Sequence, residues 1–203
     1  MDAGDFQARV GATDAQMADL ERFRGMLDEA NQVMNLVGPA TLPDFWSRHA
    51  LDSAQLLPLA PEALAWADLG AGAGLPGVVL AILLKSQPGA HLHLVDSLTK
   101  RCRFLQAVVR ELSLPATVHD ARAEALDLKV DVVTARACAP MTRLLGFAEP
   151  YFKRGALGLF LKGESVAVEL QQARECWRVD ADLEPSISDP RGRIVRVRSL
   201  YRA

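Results

Sequence analysis

Two patterns of hydrophobic and polar residues alternate along the chain from residue 63 onward. Short apolar runs bounded by turn residues, typical of strands buried in a sheet, alternate with longer stretches that carry apolar residues at helical spacing. The short runs predict strands at 63–68, 91–96, 116–119, 130–135, 156–161, 177–184 and 193–199. The longer stretches predict helices at 76–85, 98–112, 141–150 and 164–175.

This alternation predicts a Rossmann-like α/β fold with a mostly parallel, seven-stranded sheet covered by helices on both faces. The last two predicted strands are joined by a short turn, Ser188-Asp189-Pro190-Arg191-Gly192, and not by a helix. Strands joined by so short a turn run antiparallel. We therefore expect one antiparallel strand near the edge of the sheet.

The first sixty residues show helical periodicity only. Apolar positions from Met17 to Met34 predict a helix over 15–34 with Asp14 as its N-cap. Thr41 and Asp44 are spaced like a capping box at the start of a second helix, at roughly 43–57. We predict a helical extension over 1–60 and one compact domain over 61–203.

Composition narrows the class of protein. Half of the 203 residues are hydrophobic, which is enough for a substantial core, and no apolar stretch reaches the length of a membrane span. The acidic N-terminus lacks a signal-peptide pattern, and three widely spaced cysteines fit neither a disulfide framework nor a zinc site. We expect a monomeric cytoplasmic protein with reduced cysteines and no metal site.

Charge is distributed unevenly although the net charge is only −2. Residues 1–60 hold four basic and nine acidic side chains, whereas the last thirteen residues hold five arginines and no acid. This tail predicts either a basic surface for phosphates or an edge strand protected by solvated charges.

The most informative motif lies between the first strand and the first helix of the predicted sheet domain. It reads Asp68-Leu69-Gly70-Ala71-Gly72-Ala73-Gly74-Leu75-Pro76-Gly77. Glycines let the backbone turn sharply and approach a ligand closely, and open α/β sheets bind ligands at the carboxyl ends of their strands. Asp96 ends the next strand, where a carboxylate can accept hydrogen bonds from both hydroxyls of a ribose.

The spacing of the glycines separates two classes of cofactor. Dinucleotide enzymes favour Gly-x-Gly-x-x-Gly/Ala, but here Gly70, Gly72 and Gly74 are separated by single residues and Leu75 stands where the third small residue belongs. An acid before the first glycine, Asp68, also suits a cationic ligand better than a pyrophosphate. S-adenosylmethionine carries an amino group and a sulfonium, so the motif favours a class I methyltransferase over a dehydrogenase.

Seven segments together go beyond the generic fold. The chain resembles the bacterial 16S ribosomal RNA guanine-N7 methyltransferase family, also called glucose-inhibited division protein B, over about two-thirds of its length from residue 35 to 163. The segments that carry the resemblance are Asn35-Leu36-Val37-Gly38, Arg48-His49-Ala50-Leu51-Asp52-Ser53, the glycine motif, Leu94-Val95-Asp96-Ser97 with Lys100-Arg101 and Phe104-Leu105, Arg122-Ala123-Glu124, Thr134-Ala135-Arg136-Ala137, and Leu161-Lys162-Gly163.

The resemblance implies methyl transfer from S-adenosylmethionine to N7 of one guanine in 16S rRNA, near the decoding region. It also implies that Gly70, Leu75, Ala123, Glu124 and Arg136 line the cofactor site. Ala123 and Glu124 would border the adenine, and Arg136 would face the site of transfer. The substrate would be 16S rRNA or the small ribosomal subunit.

Methylation at N7 places few demands on acid–base chemistry. N7 of neutral guanine already offers a lone pair, so no general base is obligatory and the work is mainly positioning, with N7 about 3 Å from the methyl carbon. Arg136 follows a strand end and can orient the base through O6 or a phosphate. The simpler alternative for Arg136 is an ion pair with a structural carboxylate.

Two further groups of polar residues are candidates. His49 and Asp52 share a face of the second predicted helix with Arg48, either as a surface ion pair with a packed histidine or as a motif that closes the cofactor pocket. The resemblance favours the second reading, with orienting roles for His49 and Asp52. Arg48, Lys100, Arg101 and Lys162 are candidate contacts for RNA phosphates.

Other functions remain open at this stage. The same fold can methylate a small molecule or a protein, and a non-catalytic RNA-binding or assembly module can retain the cofactor fold. A dehydrogenase is a minor alternative.

Overall fold

The computed structural model describes residues Met1–Ala203 and contains one sheet of seven strands. The strands are β1 Ala65–Leu69, β2 His91–Asp96, β3 Ala116–Asp120, β4 Val132–Arg136, β5 Leu157–Lys162, β6 Trp177–Pro185 and β7 Arg193–Arg202. They lie in the order β3-β2-β1-β4-β5-β7-β6, and β7 alone runs opposite to the other six strands. The predicted fold class and the antiparallel strand next to the edge are confirmed.

Seven α-helices surround this sheet. They are α1 Ala3–Val10, α2 Asp14–Met34, α3 Asp52–Ala54, α4 Gly77–Leu83, α5 Thr99–Glu111, α6 Met141–Phe152 and α7 Val166–Ala173. A π-helical segment, Phe45–Leu51, leads directly into α3. No helix in the structure combines the length and hydrophobicity that crossing a bilayer requires.

Two hydrophobic clusters cover the two faces of the sheet. On one face, residues of α1, α2 and the π-helical segment pack together with those of α4 and α5. On the other face, α6 and α7 pack against β4, β5 and β7. The aromatic rings of Phe6 and Trp46 are 5.2 Å apart in the first cluster, and full burial of a side chain such as Phe6 contributes about 1.5–3 kcal/mol. The extension therefore shares its core with the sheet, while the division into 1–60 and 61–203 stays a prediction.

The N-terminal helices differ from the prediction in two respects. Helix α1 was not predicted, and its eight residues bury only Phe6. Helix α2 is capped by Thr13 and not by Asp14, since Thr13 and Gln16 form a reciprocal capping box. Asp14 instead accepts a hydrogen bond from the side chain of Gln7.

The second predicted helix is replaced by shorter elements. Its capping box is wrong, because Asp44 makes no side-chain cap bond and the hydroxyl of Thr41 bonds to Gly38 and His49. The widened turns of Phe45–Leu51 are unlike the regular α-helix predicted over 43–57. π-helical turns are rare in proteins, and those that occur are often found at functional sites.

Candidate active site

The carboxyl ends of β1 to β5 meet at one edge of the sheet because these strands are parallel. Asp96 at the end of β2 pairs with Asp120 of β3, and Arg136 at the end of β4 pairs with Leu161 of β5. The strand order reverses between β1 and β4. Such a reversal opens a crevice in which α/β proteins bind ligands.

The glycine turn follows β1 at this crevice. Gly70 has a φ of +67°, in the left-handed region that glycine adopts without strain. A Cβ atom at Gly70 would lie 2.5 Å from Sγ of Cys138, so the loop after β4 packs directly on the turn. Gly72 and Gly74 also have positive φ, and Leu75 is buried in the first hydrophobic cluster.

Asp96 fixes the turn from below. One carboxylate oxygen accepts a hydrogen bond from the Gly72 amide and the other accepts one from the Leu98 amide, both at 2.9 Å. The guanidinium of Arg101 lies 3.7 Å from the same carboxylate. Because a carboxylate offers about four acceptor positions, Asp96 retains capacity for further donors.

Asp68 lies deeper than Asp96 and is buried beneath the turn. Its oxygens accept hydrogen bonds from the Gly77 amide, at 2.9 Å, and from the Thr134 hydroxyl, at 3.2 Å. Burial raises the pKa of Asp68 to about 7, against the opposing effect of these two donors. Its contacts are with the protein itself, and contact with a cationic cofactor stays a prediction.

Replacing Gly77 with alanine should destabilise the protein by about 1–3 kcal/mol, because the site is closely packed. A Cβ there would overlap Cδ2 of Leu94 and lie 2.7 Å from Oδ2 of Asp68, both in buried strands. Gly25→Ala is the matched control, since Gly25 lies inside α2 with open space around it. The control should gain about 0.5–1 kcal/mol. Urea unfolding of both variants measures the difference, and equal stabilities would contradict the packing.

Ala123 and Glu124 follow β3 beside Asp96. The Ala121 amide donates to the Asp96 carbonyl, and the hydroxyl of Tyr151 donates to the Ala123 carbonyl at 3.0 Å. Ala123 is buried, whereas Glu124 is exposed. The two residues therefore follow the strand next to Asp96, and their contact with a cofactor stays a prediction.

Arg136 gathers three of the groups that the sequence singled out. Its guanidinium donates to the Arg48 carbonyl at 3.0 Å, to the Asp52 carboxylate at 3.3 Å and to Nδ1 of His49 at 3.1 Å. Residues from the π-helical segment and from α3 thus meet the end of β4, 84 to 88 residues away in sequence. Both interpretations of Arg136 have a basis here, because it forms an ion pair and also lies at the crevice.

A directed chain of hydrogen bonds runs through His49. Since Arg136 can only donate, Nδ1 of His49 is the acceptor, and the proton of the neutral ring is on Nε2. That nitrogen donates to the Thr41 hydroxyl at 3.0 Å, and Thr41 donates to the Gly38 carbonyl at 2.7 Å. Both ring nitrogens of His49 are therefore engaged by the protein.

The stability of the fold should depend on pH through His49. Burial, followed by the positive charges of Arg136 and Arg48, lowers the pKa of His49 from 6.5 to about 4. As pH falls through this range, the unfolded chain binds a proton that the folded protein does not, so the free energy of unfolding decreases by up to about 1.4 kcal/mol per pH unit.

The matched variant is His49→Gln, whose carboxamide can keep both hydrogen bonds without titrating. Urea unfolding from pH 4.5 to 7 should show the wild type losing stability faster than the variant as the pH is lowered. His93 and His119, whose pKa values are also lowered by burial, are present in both proteins and cancel in the comparison. Parallel curves would show that His49 is not held neutral by the fold.

The four candidate RNA contacts have different surroundings. Arg48 is exposed, forms no ion pair, and acts on Asp189 only from a distance. Lys100 is exposed and donates to the Val33 carbonyl at 3.4 Å. Arg101 lies beside Asp96, as described above.

Lys162 is the least accessible of the four candidates. Its ammonium group pairs with Glu169 at 2.7 Å and donates to the Ala139 carbonyl at 3.0 Å, and its side chain is only 10% exposed. Glu169 in turn accepts from the Met141 amide. Lys162 therefore braces the loop between β4 and α6, and direct contact with RNA stays a prediction.

A cavity of about 780 Å³ opens beside Arg136. His49, Asp52 and Lys162 line it together with the turn between β6 and β7. Sequence reasoning did not place this turn or Cys138 at the site. The arginines of the C-terminal tail could have indicated that this turn lies at the site. A lone cysteine two residues after Arg136 gave no indication that Cys138 contacts Gly70.

Comparison with known proteins identifies the family and the fold. The family model of rRNA small subunit methyltransferase G (GidB) matches residues 16–190. A protein of Caulobacter vibrioides named ribosomal RNA small subunit methyltransferase G is 67% identical over 202 residues, which is 100% of this chain and 94% of that protein. One of the same name from Parvibaculum lavamentivorans is 44% identical over 205 residues, covering 99% and 91%.

Solved structures show the same fold at low sequence identity. Magnesium protoporphyrin IX methyltransferase of Synechocystis, with bound S-adenosylmethionine, matches with a TM-score of 0.59 at 15% identity, covering 93% of this chain and 99% of that one. A S-adenosylmethionine-dependent methyltransferase of Aquifex aeolicus matches with a TM-score of 0.58 at 16% identity, covering 82% and 96%. Since the family model and the relatives span nearly all of the chain, this protein belongs to the rRNA small subunit methyltransferase G family.

Proposed function

We propose that this protein transfers a methyl group from S-adenosylmethionine to N7 of one guanine in the 16S rRNA of the small ribosomal subunit, near the decoding region. Family and fold make it an S-adenosylmethionine-dependent methyltransferase. The choice of N7 is supported by the cluster that Arg136 forms with His49 and Asp52. Both ring nitrogens of His49 are engaged by the protein, so this ring is not free to remove a proton, and N7 requires no such step.

The crevice fits the cofactor in the hydrogen-bonding groups that it offers. Asp96 has spare acceptor positions for ribose hydroxyls, and a Cβ at Gly72 would have no atom closer than 3.6 Å, so the turn is uncrowded there. We assign Ala123 and Glu124 to the border of the adenine and Leu75 to the floor. Asp68 would support the turn from beneath by accepting the hydrogen bond of the Gly77 amide. When bound, S-adenosylmethionine supplies the methyl group together with a sulfur leaving group.

Arg136 orients the guanine in this proposal. Three of its five N–H donors are used by Arg48, His49 and Asp52, which leaves two for a substrate. A guanidinium held by three partners is rigid, and rigidity keeps N7 aligned with the methyl group. His49 and Asp52 are therefore positioning residues that act through Arg136.

RNA would be held by exposed cations around the crevice. Arg48, Lys100 and Arg101 are available for phosphates, and Lys162 holds the neighbouring loop in place. Phosphate contacts of this kind fix the register of the RNA without reading its sequence. The protein is expected to act as a cytoplasmic monomer.

Transfer of labelled methyl groups tests this function. The purified protein is incubated with labelled S-adenosylmethionine and with small subunits, or naked 16S rRNA, from cells that lack the gene. The expected product is one labelled guanine that becomes sensitive to cleavage specific for N7-methylguanine. Label on another base, a protein or a small molecule would favour a different methyltransferase. Cofactor binding without any transfer would favour a non-catalytic module.

A further inference from the structure

The turn between β6 and β7 is fastened to the segment that carries the Arg136 partners. We call residues 186–192 the β6–β7 turn. The side-chain oxygen of Gln55 accepts a hydrogen bond from the Ile187 amide at 2.8 Å, and its nitrogen donates to the Ser186 hydroxyl at 3.0 Å. Gln55 is only 8% exposed, so this contact is largely shielded from water. The turn is thus held by a side chain 131 residues away in sequence.

A second contact ties the β6–β7 turn to Arg136 itself. The Ser188 hydroxyl donates to the Asp52 carboxylate at 2.6 Å, and the other oxygen of that carboxylate pairs with Arg136. The turn is therefore a fixed wall of the cavity beside Arg136.

Two arginines of this cavity have no carboxylate partner. Arg193 donates to the carbonyls of Pro190, at 2.8 Å, and of Gly192, at 2.7 Å, which fixes its guanidinium at the base of the turn. Arg48, from the π-helical segment, also forms no ion pair and lines the same cavity, and its positive charge acts on Asp189 from a distance. Arg191 differs, because it pairs with Asp189 at 3.3 Å.

The acids that line the cavity are nearly all neutralised. Asp52 pairs with Arg136, Glu169 with Lys162, and Asp189 with Arg191. Among the residues that line the cavity, Glu164 is the one carboxylate outside an ion pair. Two cations, Arg48 and Arg193, are outside ion pairs. The balance leaves an excess of positive charge for an anion in the cavity.

We propose that Arg48 and Arg193 form a phosphate-binding subsite that holds the RNA backbone beside the target guanosine. The inference rests on the proposed function and extends it to the β6–β7 turn, which supplies one of the two cations. Guanidinium groups match phosphate oxygens in a bidentate manner. Two such contacts across the cavity would set the distance between the backbone and the base held by Arg136.

The test compares Arg193→Gln and Arg48→Gln with the wild type on small ribosomal subunits. Each substitution should raise KM for the subunit about tenfold, as expected for loss of a charge-assisted hydrogen bond, with kcat and cofactor affinity unchanged. Each should also reduce the slope of log affinity against log salt by about one, since one phosphate contact is removed. Arg193→Lys should keep the slope.

Arg198→Gln is the matched control on the same strand as Arg193. Arg198 pairs with Asp180 and Asp182 of β6, so its loss should leave KM and the salt slope unchanged. RNA affinity is measured directly by equilibrium binding, so the result does not depend on which base is methylated. If Arg193→Gln unfolds because its carbonyl contacts are lost, Arg48→Gln decides. Wild-type KM and salt slope in the folded variants would overturn the subsite, whereas failure of the wild type to methylate RNA would overturn the proposed function instead.

Discussion

Replacing Arg136 with glutamine should lower kcat/KM for RNA methylation by about 100-fold or more, the size of effect expected when the reacting groups lose their alignment. Glutamine cannot span from the end of β4 to Arg48, His49 and Asp52 as Arg136 does. Asp52 would keep its bonds from Gln55 and Ser188, so we expect a loss of stability of no more than about 2 kcal/mol. Steady-state kinetics and thermal unfolding measure the two effects separately.

Two further variants help to interpret the effect of Arg136→Gln on activity. Arg136→Lys keeps the charge but offers a single ammonium in place of a planar fork, so it should also be impaired. Arg110→Gln removes an exposed arginine from the last turn of α5 and should retain activity. Normal turnover in Arg136→Gln would mean that the cluster is an ion pair without an orienting role.

Replacing Asp96 with alanine should raise the dissociation constant for S-adenosylmethionine by about 100-fold or more, because hydrogen bonds to a charged group contribute about 1.5–3 kcal/mol each. The substitution removes the acceptor for the Gly72 and Leu98 amides and the acceptor proposed for the ribose. Calorimetric titration with the cofactor gives the affinity. Asp96→Asn keeps one acceptor oxygen, so its dissociation constant for the cofactor should lie between those of the wild type and Asp96→Ala.

Asp120→Ala is the control for this prediction. Asp120 ends β3 directly beside Asp96, carries the same charge and is exposed. Its loss should leave cofactor affinity within about twofold of the wild type, as surface substitutions usually have small effects. Equal affinities of Asp96→Ala and the wild type would remove Asp96 from the cofactor site.

Local pattern was sufficient to predict the sheet. The strands are short apolar runs, and their ends carry the polar residues Asp96, Arg136 and Lys162, so the periodicity also located the functional edge. The glycine spacing added the class of cofactor. The ordered motifs added the family.

The contacts that build the site were beyond local pattern. Nothing near residue 136 in sequence indicates that its side chain meets His49 and Asp52, and the capping-box spacing at Thr41 was misleading because its hydroxyl serves His49. Lys162 looked like a free cation at a strand end, yet its partner Glu169 lies one helix later. Side-chain partners depend on how elements pack, and spacing within an element does not encode that packing.

The most direct test of guanine N7 as the methylated atom is a map of N7-methylguanine in 16S rRNA from cells with and without the gene. We expect one site to lose its methyl group in the deletion strain, to regain it with the wild-type gene and to remain unmethylated with Arg136→Gln. An identical map in both strains would contradict the assignment to guanine N7.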